Sequence, residues 1–554
     1  MNTDTPPVRT ADEASTPVLP AMPRAVRLAH LVTLTAAGVF LLVEATKQWF
    51  YLDEWDFLAY RGLRFTGTEG LFAPHNEHWT TIPILIWRGL FNFVGVRDYW
   101  LYALPLIVAH LAVVHLVWRL MLRHEVDPWT ATLLVAAFAV LAVGSENLTT
   151  AFQITFVGSV AFGLLAVDAI ERDRLWLPPI WSVCALMCSN IGIPMVFGCV
   201  LVALARRRYT AAAITAIPPA AVFIIWYVLI GHIGTHASTD IASLSFGGLV
   251  SYVWTGLTAS MGGLVDGSAH LGAVFVAVLA GAAVARRNVP AALALAAVAL
   301  YAFVGLGRLQ YGVDQALASR YSYIAVALCL PLIGQLISPL ARRRDLRSIV
   351  MAALIVLIGA NAVSLETDTT LVAASNKWAG QIQAAAYLIH TGERFPGFAT
   401  SSSSIGPPNE PSVAALTAMV RRGQFPVPAA VPRQTLQAER AILGVFISPK
   451  PGYPGALTFA APASPTCVGS SPRNPVTVQL PASGSIRLTF QHPAPAQGVA
   501  VSFPAAPDAS SVTVSLPLSG PWLNIPAGAY PTASITPSIA VRLCESVPSG
   551  GVRS

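Results

Sequence analysis

A series of long apolar runs, punctuated by short groups of arginine, constrains this chain more than any other feature. Runs such as Leu271 to Ala285 and Ile349 to Val363 approach, with their flanks, the ~20 residues that carry a helix across a hydrocarbon core. Inside a bilayer every backbone N–H and C=O must be satisfied within the protein, so repeated runs of this kind require helices. Composition agrees: 11% of the residues are charged and 54% hydrophobic, against roughly a quarter charged in a soluble domain. The expected fold class is a polytopic α-helical membrane protein.

The net charge of +7 does not indicate a nucleic-acid partner. The arginines sit in small groups between apolar runs, which is the pattern of membrane topology. Residues 1–27 are rich in Pro, Thr and Ala and read as a disordered cytoplasmic tail. Arg24 and Arg27 precede the first span and place the N-terminus in the cytoplasm. That span is too long for the apolar region of a cleaved signal peptide and reads as a retained anchor.

Positive-inside counting then predicts spans near 28–46, 100–120, 129–144, 154–170, 175–189, 191–205, 211–230, 269–285, 289–306, 321–340 and 348–364. The piece from Ile82 to Val94 carries Arg88 and is expected to lie in the interface. The piece from Leu249 to Val265 is expected to be re-entrant or interfacial, since counting it as a span would put Arg286 and Arg287 outside. The result is about 11 transmembrane helices in a multi-pass protein of the plasma membrane, with an extracytoplasmic C-terminus.

After this membrane module, 28–364 with its outer loop at 47–99, the composition turns polar. Residues 365–460 read as an extracytoplasmic linker. In 461–554, alternating runs such as Val476–Leu480, Ser485–Phe490 and Val512–Leu516, separated by Pro, Gly and Ser, predict a small antiparallel β-sandwich. Cys467 and Cys544 bracket this segment and are expected to form a disulfide outside the cytoplasm. The other four cysteines, Cys184, Cys188, Cys199 and Cys329, lie in apolar runs and lack metal-ligand spacing.

Chemistry concentrates on the expected outer side. The stretch Tyr51-Leu52-Asp53-Glu54-Trp55-Asp56-Phe57 sets three carboxylates just beyond the first span, where a membrane surface makes charge costly. The alternative reading is a solvated helix cap. His75, Glu77 and His78 follow in a polar run, and two His with one carboxylate are an allowed metal set, although their spacing suits a sugar-contacting loop better. Glu146 and Asn147 stand at the edge of the hydrocarbon between the third and fourth spans, where a second outer carboxylate would suit acceptor or metal binding and a capped helix end is an equal alternative. Arg308 and Arg320 sit at the outer ends of adjacent spans, against the positive-inside bias, where a guanidinium can grip a phosphate in bidentate fashion. Arg61, Arg64, Arg88 and Arg97 also fall outside, and solvated loop charge accounts for most of these. Among the aromatics, Trp49, Tyr51, Trp55 and Trp79 read as interface residues first and stacking platforms second. Trp522 is an open candidate for carbohydrate contact in the C-terminal segment.

An acidic motif after the first span, a second acid after the third, a basic residue near late spans and an external C-terminal domain together resemble the GT-C superfamily of membrane glycosyltransferases. Asp53-Glu54 is similar to the Asp-Glu pair of its protein mannosyltransferase and aminoarabinose transferase branches. The resemblance implies transfer of a hexosyl or pentosyl unit from a polyprenyl-phosphate sugar donor to a glycan, lipid or protein acceptor of the cell envelope. Asp53 would be the base, and Glu54 and Asp56 would orient the acceptor or hold a cation. Arg320, with Arg308, would take the leaving phosphate. No cofactor is required by this reading, and a divalent cation is the one it allows. The competing function is a transporter or flippase of lipid-linked sugar. The absence of an evident internal repeat and of acids in mid-span argues against it. A non-enzymatic envelope scaffold would leave the outer carboxylates without a role.

Overall fold

The computed structural model describes residues 22–62, 70–233, 245–265, 267–367, 370–390, 411, 413–429, 467–471, 473–479, 485–491, 498–503, 512–517, 522–526, 532–537 and 541–546. Most of the expected tail and linker, and Arg64, lie outside these. The chain divides into two compact units, one formed by Met1–Glu44, Pro74–Thr80 and Leu104–Asp368, the other by Ala45–Ala73, Thr81–Ala103 and Thr369–Ser554.

The first unit is helical. Among the described residues eight helices are long and apolar enough to cross a membrane: Arg24–Thr46, Tyr99–Arg123, Ala151–Glu171, Tyr209–Leu229, Ala269–Arg286, Val289–Tyr311, Ser319–Arg342 and Arg344–Glu366. The chain is thus a multi-pass membrane protein. Three of the eleven expected spans are shorter helices: Pro128–Ala139, of 12 residues, Leu177–Leu186, of 10, and Gly192–Ala205, of 14. At ~1.5 Å per residue none of these reaches the ~30 Å of a hydrocarbon core unaided. The Phe246–Gly263 helix, expected not to cross, has 18 residues and is not among the eight.

Local sequence explains where these helices begin. Asp127 accepts a hydrogen bond from the Thr130 N–H, with Pro128 at the first helical position, and Asn288 does the same for Ala291, with Pro290 just inside. Both combine a capping side chain with a proline whose missing N–H costs nothing there. Burial separates the helices into classes. Residues 154–171 and 319–342 form the interior, while the helices at 24–46, 269–286 and 344–367 turn most of their surface outward.

Polar side chains fasten the interior. His110 Nε2 lies 3.1 Å from the carbonyl of Ala139, so it carries the proton, and Nδ1 accepts from Tyr323 Oη at 2.9 Å. Ala139 ends its helix, and His110 satisfies one of the carbonyls left over there. Ser260 Oγ lies 2.7 Å from Tyr301 Oη and 3.2 Å from Ser322 Oγ. The Tyr301 ring can approach because residue 256 is glycine: a Cβ there would lie 2.1 Å from a ring carbon. Asn361 spans two segments, accepting from Ala142 N–H and donating to the carbonyl of Leu264.

Two charged networks occupy opposite ends of the Ile154–Glu171 helix, whose 18 residues span ~27 Å. At its C-terminal end Asp168 meets Arg123 at 2.6 Å and Arg172 at 2.9 Å, and Glu171 meets Arg206 at 2.6 Å and His124 at 3.1 Å. The other network is the candidate site.

In the second unit the segment from Phe50 to Tyr102 closes around aromatic rings. Phe50, Trp55, Trp87 and Tyr102 are buried, with Phe50 edge-on to Tyr99 and Tyr102. Two helices, Thr370–His390 and Val413–Arg421, lie where a linker was expected. Val96 N–H donates to the carbonyl of Gln424 at 2.7 Å. Gly95 makes this possible: its φ is +69° and a Cβ there would lie 2.4 Å from the same carbonyl oxygen.

The C-terminal strands are β1 (Cys467–Ser470), β2 (Val476–Gln479), β3 (Ser485–Gln491), β4 (Gly498–Phe503), β5 (Val512–Pro517), β6 (Trp522–Pro526), β7 (Thr532–Pro537) and β8 (Val541–Ser546). They form two four-stranded antiparallel sheets ordered β1-β8-β3-β6 and β2-β7-β4-β5. In the β1–β8 ladder Cys467 stands opposite Cys544.

Candidate functional site

The first unit assembles its site from three stretches. The run Pro74–Thr80 contributes a closed turn in which His75 N–H donates to the His78 carbonyl and His78 N–H to the His75 carbonyl, both at 2.9 Å. Asn76 takes the left-handed conformation this turn needs, with φ of 50°, and asparagine tolerates it better than most residues. The turn is seated by aromatic contacts, His75 against Phe152 and His78 against Phe156.

Glu77, at the tip, reaches Arg308: Nη2 donates to Oε1 at 2.6 Å. His78 Nε2 lies 3.7 Å from that same oxygen. Asn190 N–H donates to His78 Nδ1 at 3.3 Å, which leaves the ring proton on Nε2, facing Glu77. Burial pushes the His78 pKa down to about 4; Glu77 opposes this, while His75, Arg308 and Arg320 reinforce it. His78 is therefore neutral near pH 7.

The second stretch is Gly144 to Gln153, where single helical turns replace a continuous helix. Glu146 Oε1 accepts from Arg320 Nη1 at 3.0 Å and from Gln153 Nε2 at 2.7 Å. Glu146 N–H donates to Ser319 Oγ, and Asn147 Nδ2 to the carbonyl of Arg320 at 3.0 Å. The third stretch supplies Arg308 and Arg320, at the end of one buried helix and the start of the next. Arg320 also lies over the ring of Tyr321 at 5.2 Å. The site is thus two arginines, each holding a carboxylate from a different segment, with about a third of each guanidinium side chain exposed.

The sequence-predicted residues divide accordingly. Glu77 is brought to Arg308, and Glu146 and Asn147 to Arg320; His75 and His78 frame the turn. Among the described residues no three His, Cys, Asp or Glu side chains are grouped to hold a metal ion. Sequence reading missed Gln153, Ser319 and Asn190. No spacing marked any of the three, since the chain from Ala142 to Gln153 is not one continuous helix.

The acidic motif belongs to the second unit. Glu54 is buried, accepting from Tyr51 N–H at 2.9 Å and from Tyr99 Oη at 2.7 Å. Its carboxylate fastens the turn that carries Asp53, and Leu52 pays in backbone strain, with φ of 48°. Asp56 accepts from Arg61 Nε at 2.7 Å, and Arg61 Nη1 donates to the carbonyl of Ala73. Asp53 is half-buried at the start of a short helix. Trp55 and Trp79, expected at a membrane interface, are instead buried: Trp55 among the rings around Phe50, and Trp79 stacked on Trp226 at 5.0 Å in the first unit.

No family model matches the chain, and no curated protein matches it. Solved structures similar to it include two from bacteria. One is a crystal structure of ArnT from Cupriavidus metallidurans bound to undecaprenyl phosphate, 12% identical, covering 80% of this chain and 93% of that one, with a TM-score of 0.44. The other is a cryo-EM structure of the arabinosyltransferase EmbB from Mycobacterium smegmatis, also 12% identical, covering 97% of this chain and 66% of that one, with a TM-score of 0.33.

Proposed function

We propose that the protein is a GT-C-type membrane glycosyltransferase that moves a hexosyl or pentosyl unit from a polyprenyl-phosphate carrier to an extracytoplasmic acceptor. The observation that carries this reading is the pair of arginines at neighbouring helix ends, Arg308 and Arg320, each already holding an oxyanion in the form of a carboxylate. A phosphate matches the same donor geometry. In the reaction the acceptor hydroxyl oxygen attacks the anomeric carbon, the bond from that carbon to the phosphate oxygen breaks, and the electron pair leaves with the phosphate. Asp53 takes the hydroxyl proton, and Arg308 and Arg320 stabilise the departing charge. Glu54 and Asp56 hold the turn that presents Asp53. His75, Glu77 and His78 form a sugar-contacting loop.

Eleven crossings are part of the proposal, and contacts at the helix ends support them. The ends near Glu77, Glu146 and Trp79 alternate along the chain with the ends near Arg123, Glu171 and Asp127. The helices at 128–139, 177–186 and 192–205 each run between the two sets, which makes an odd total and leaves the C-terminus on the side opposite the N-terminus. A β-sandwich closed by Cys467–Cys544 in that outer compartment completes the reading.

The test offers purified protein polyprenyl-phosphate-linked glucose, galactose, mannose and arabinose with candidate envelope acceptors. Transfer is expected with at least one donor and is expected to fall by about 100-fold or more in Asp53→Asn, the scale of a lost general base. Unchanged transfer by that variant removes Asp53 as base. Absence of transfer, together with movement of carrier across proteoliposomes, replaces the reading with a transporter. A tag at Ser554 accessible only from the cytoplasm overturns the orientation.

A further inference from the structure

The second stretch of the site contains two buried acceptors with nothing to accept. Asn147 is fully buried and Gln153 nearly so. Their amide orientations are fixed by chemistry: the NH2 of Gln153 must face the Glu146 carboxylate, and the NH2 of Asn147 must face the Arg320 carbonyl. The oxygen ends therefore point elsewhere, and neither Asn147 Oδ1 nor Gln153 Oε1 has a hydrogen-bonding partner among the described residues. A buried carbonyl without a donor is costly, which is why such groups mark places where a ligand or water completes the structure.

The chemistry of the missing partner follows from what is present. Each amide oxygen accepts hydrogen bonds and repels phosphate oxygens, as does the Glu146 carboxylate that Gln153 contacts and Asn147 follows in sequence. A divalent cation is disfavoured, because Arg320 Nη1 already lies 3.0 Å from the Glu146 oxygen it would need. That ion pair also balances the charge of Glu146, so neutral donors fit better than an ammonium group. Neutral donors in close array are the hydroxyls of a sugar.

We propose that Glu146, Asn147 and Gln153 form the subsite that receives hydroxyl groups of the glycosyl unit, next to the arginines that take its phosphate. Arg320 joins the two halves, with Nη1 on Glu146 and its guanidinium about a third exposed. This inference rests on the transferase reading and adds to it a division of the donor by hydrogen-bonding polarity. It makes Gln153, absent from the sequence reading, a residue that determines specificity.

The experiment measures affinity by intrinsic tryptophan fluorescence for farnesyl phosphate, for farnesyl-phosphate-linked glucose, galactose, mannose and arabinose, and for mono-deoxy analogues of the tightest binder. The parent protein is expected to bind at least one mono-deoxy analogue about tenfold more weakly than the full sugar. Gln153→Met, nearly equal in volume, is expected to bind the full sugar and that analogue alike while keeping its affinity for farnesyl phosphate. Deleting the hydroxyl from the ligand leaves the protein intact, so the comparison survives a poorly folding variant. Unchanged discrimination in Gln153→Met, or equal loss of farnesyl phosphate and sugar-linked binding, overturns the subsite while leaving the transferase reading in place. Tight Mn2+ binding that Gln153→Met abolishes overturns it in favour of a cation site. No preference by the parent for any sugar-linked lipid over farnesyl phosphate, with no transfer, sinks both.

Discussion

Glu54 and His78 show how a residue's type can be legible while its task is not. In the sequence Asp53, Glu54 and Asp56 are three equivalent acids, and burial separates them. Glu54 is held by the Tyr51 N–H and the Tyr99 hydroxyl, and hydrogen bonds to a buried carboxylate contribute about 1.5–3 kcal/mol each. Tyr99→Phe is expected to lower unfolding stability by roughly that amount in chemical denaturation. Unchanged stability in that variant would mean the Tyr99 hydroxyl does not anchor Glu54. His78 makes a prediction in pH. Its folded pKa lies near 4 against ~6.5 in an unfolded chain, so acidification protonates the unfolded state first. Its contribution to stability is complete above pH ~6.5 and declines as pH falls toward 4. Melting temperatures recorded across that window should fall more steeply for the parent than for His78→Gln, and parallel slopes would remove His78 as the titrating group.

At the scale of elements, the sequence announced helices wherever the apolar runs were long and failed where they were short. The 154–170 and 321–340 spans coincide closely with helices, because continuous burial within the bundle demands continuous apolar sequence. Pro128–Ala139 ends before its apolar run does, and Ala142 to Gln153 breaks into single turns that carry Glu146 and Gln153. Hydropathy does not register such a break, since it depends on where Arg320 and Ser319 wait to receive the segment. Helix packing was equally hidden. Gly256 looks like any membrane glycine, yet a Cβ there would lie 2.1 Å from the ring of Tyr301, whereas at Gly281 nothing lies within 4 Å. Gly256→Ala should therefore cost about 1–3 kcal/mol through overpacking and Gly281→Ala almost nothing, measured by titrating detergent-solubilised protein with SDS. Equal effects would mean the contact with Tyr301 is looser than described.

For the whole molecule, the multi-pass helical character was the most legible property, because apolar length is written in composition. The partnership between distant segments was not: nothing at Glu77 names Arg308, and nothing at Val96 names Gln424. The C-terminal sheets follow the alternation that predicted strands, and their ladder sets Cys467 opposite Cys544, a separation compatible with a disulfide. Protein exported to an oxidising compartment is expected to shift mobility on a non-reducing gel, with the shift abolished by Cys467→Ser or Cys544→Ser; identical migration with and without reductant excludes the bond. The composition of the second unit has a consequence in time. Asn376 Nδ2 donates to the carbonyl of Lys47, 329 positions away. At ~5–20 residues per second, ribosomes complete that separation in roughly 15–65 s. Throughout that interval the stretch bearing Asp53 has left the ribosome without the Thr370–His390 helix that bonds to Lys47, so the acidic turn is among the last parts of the protein to mature.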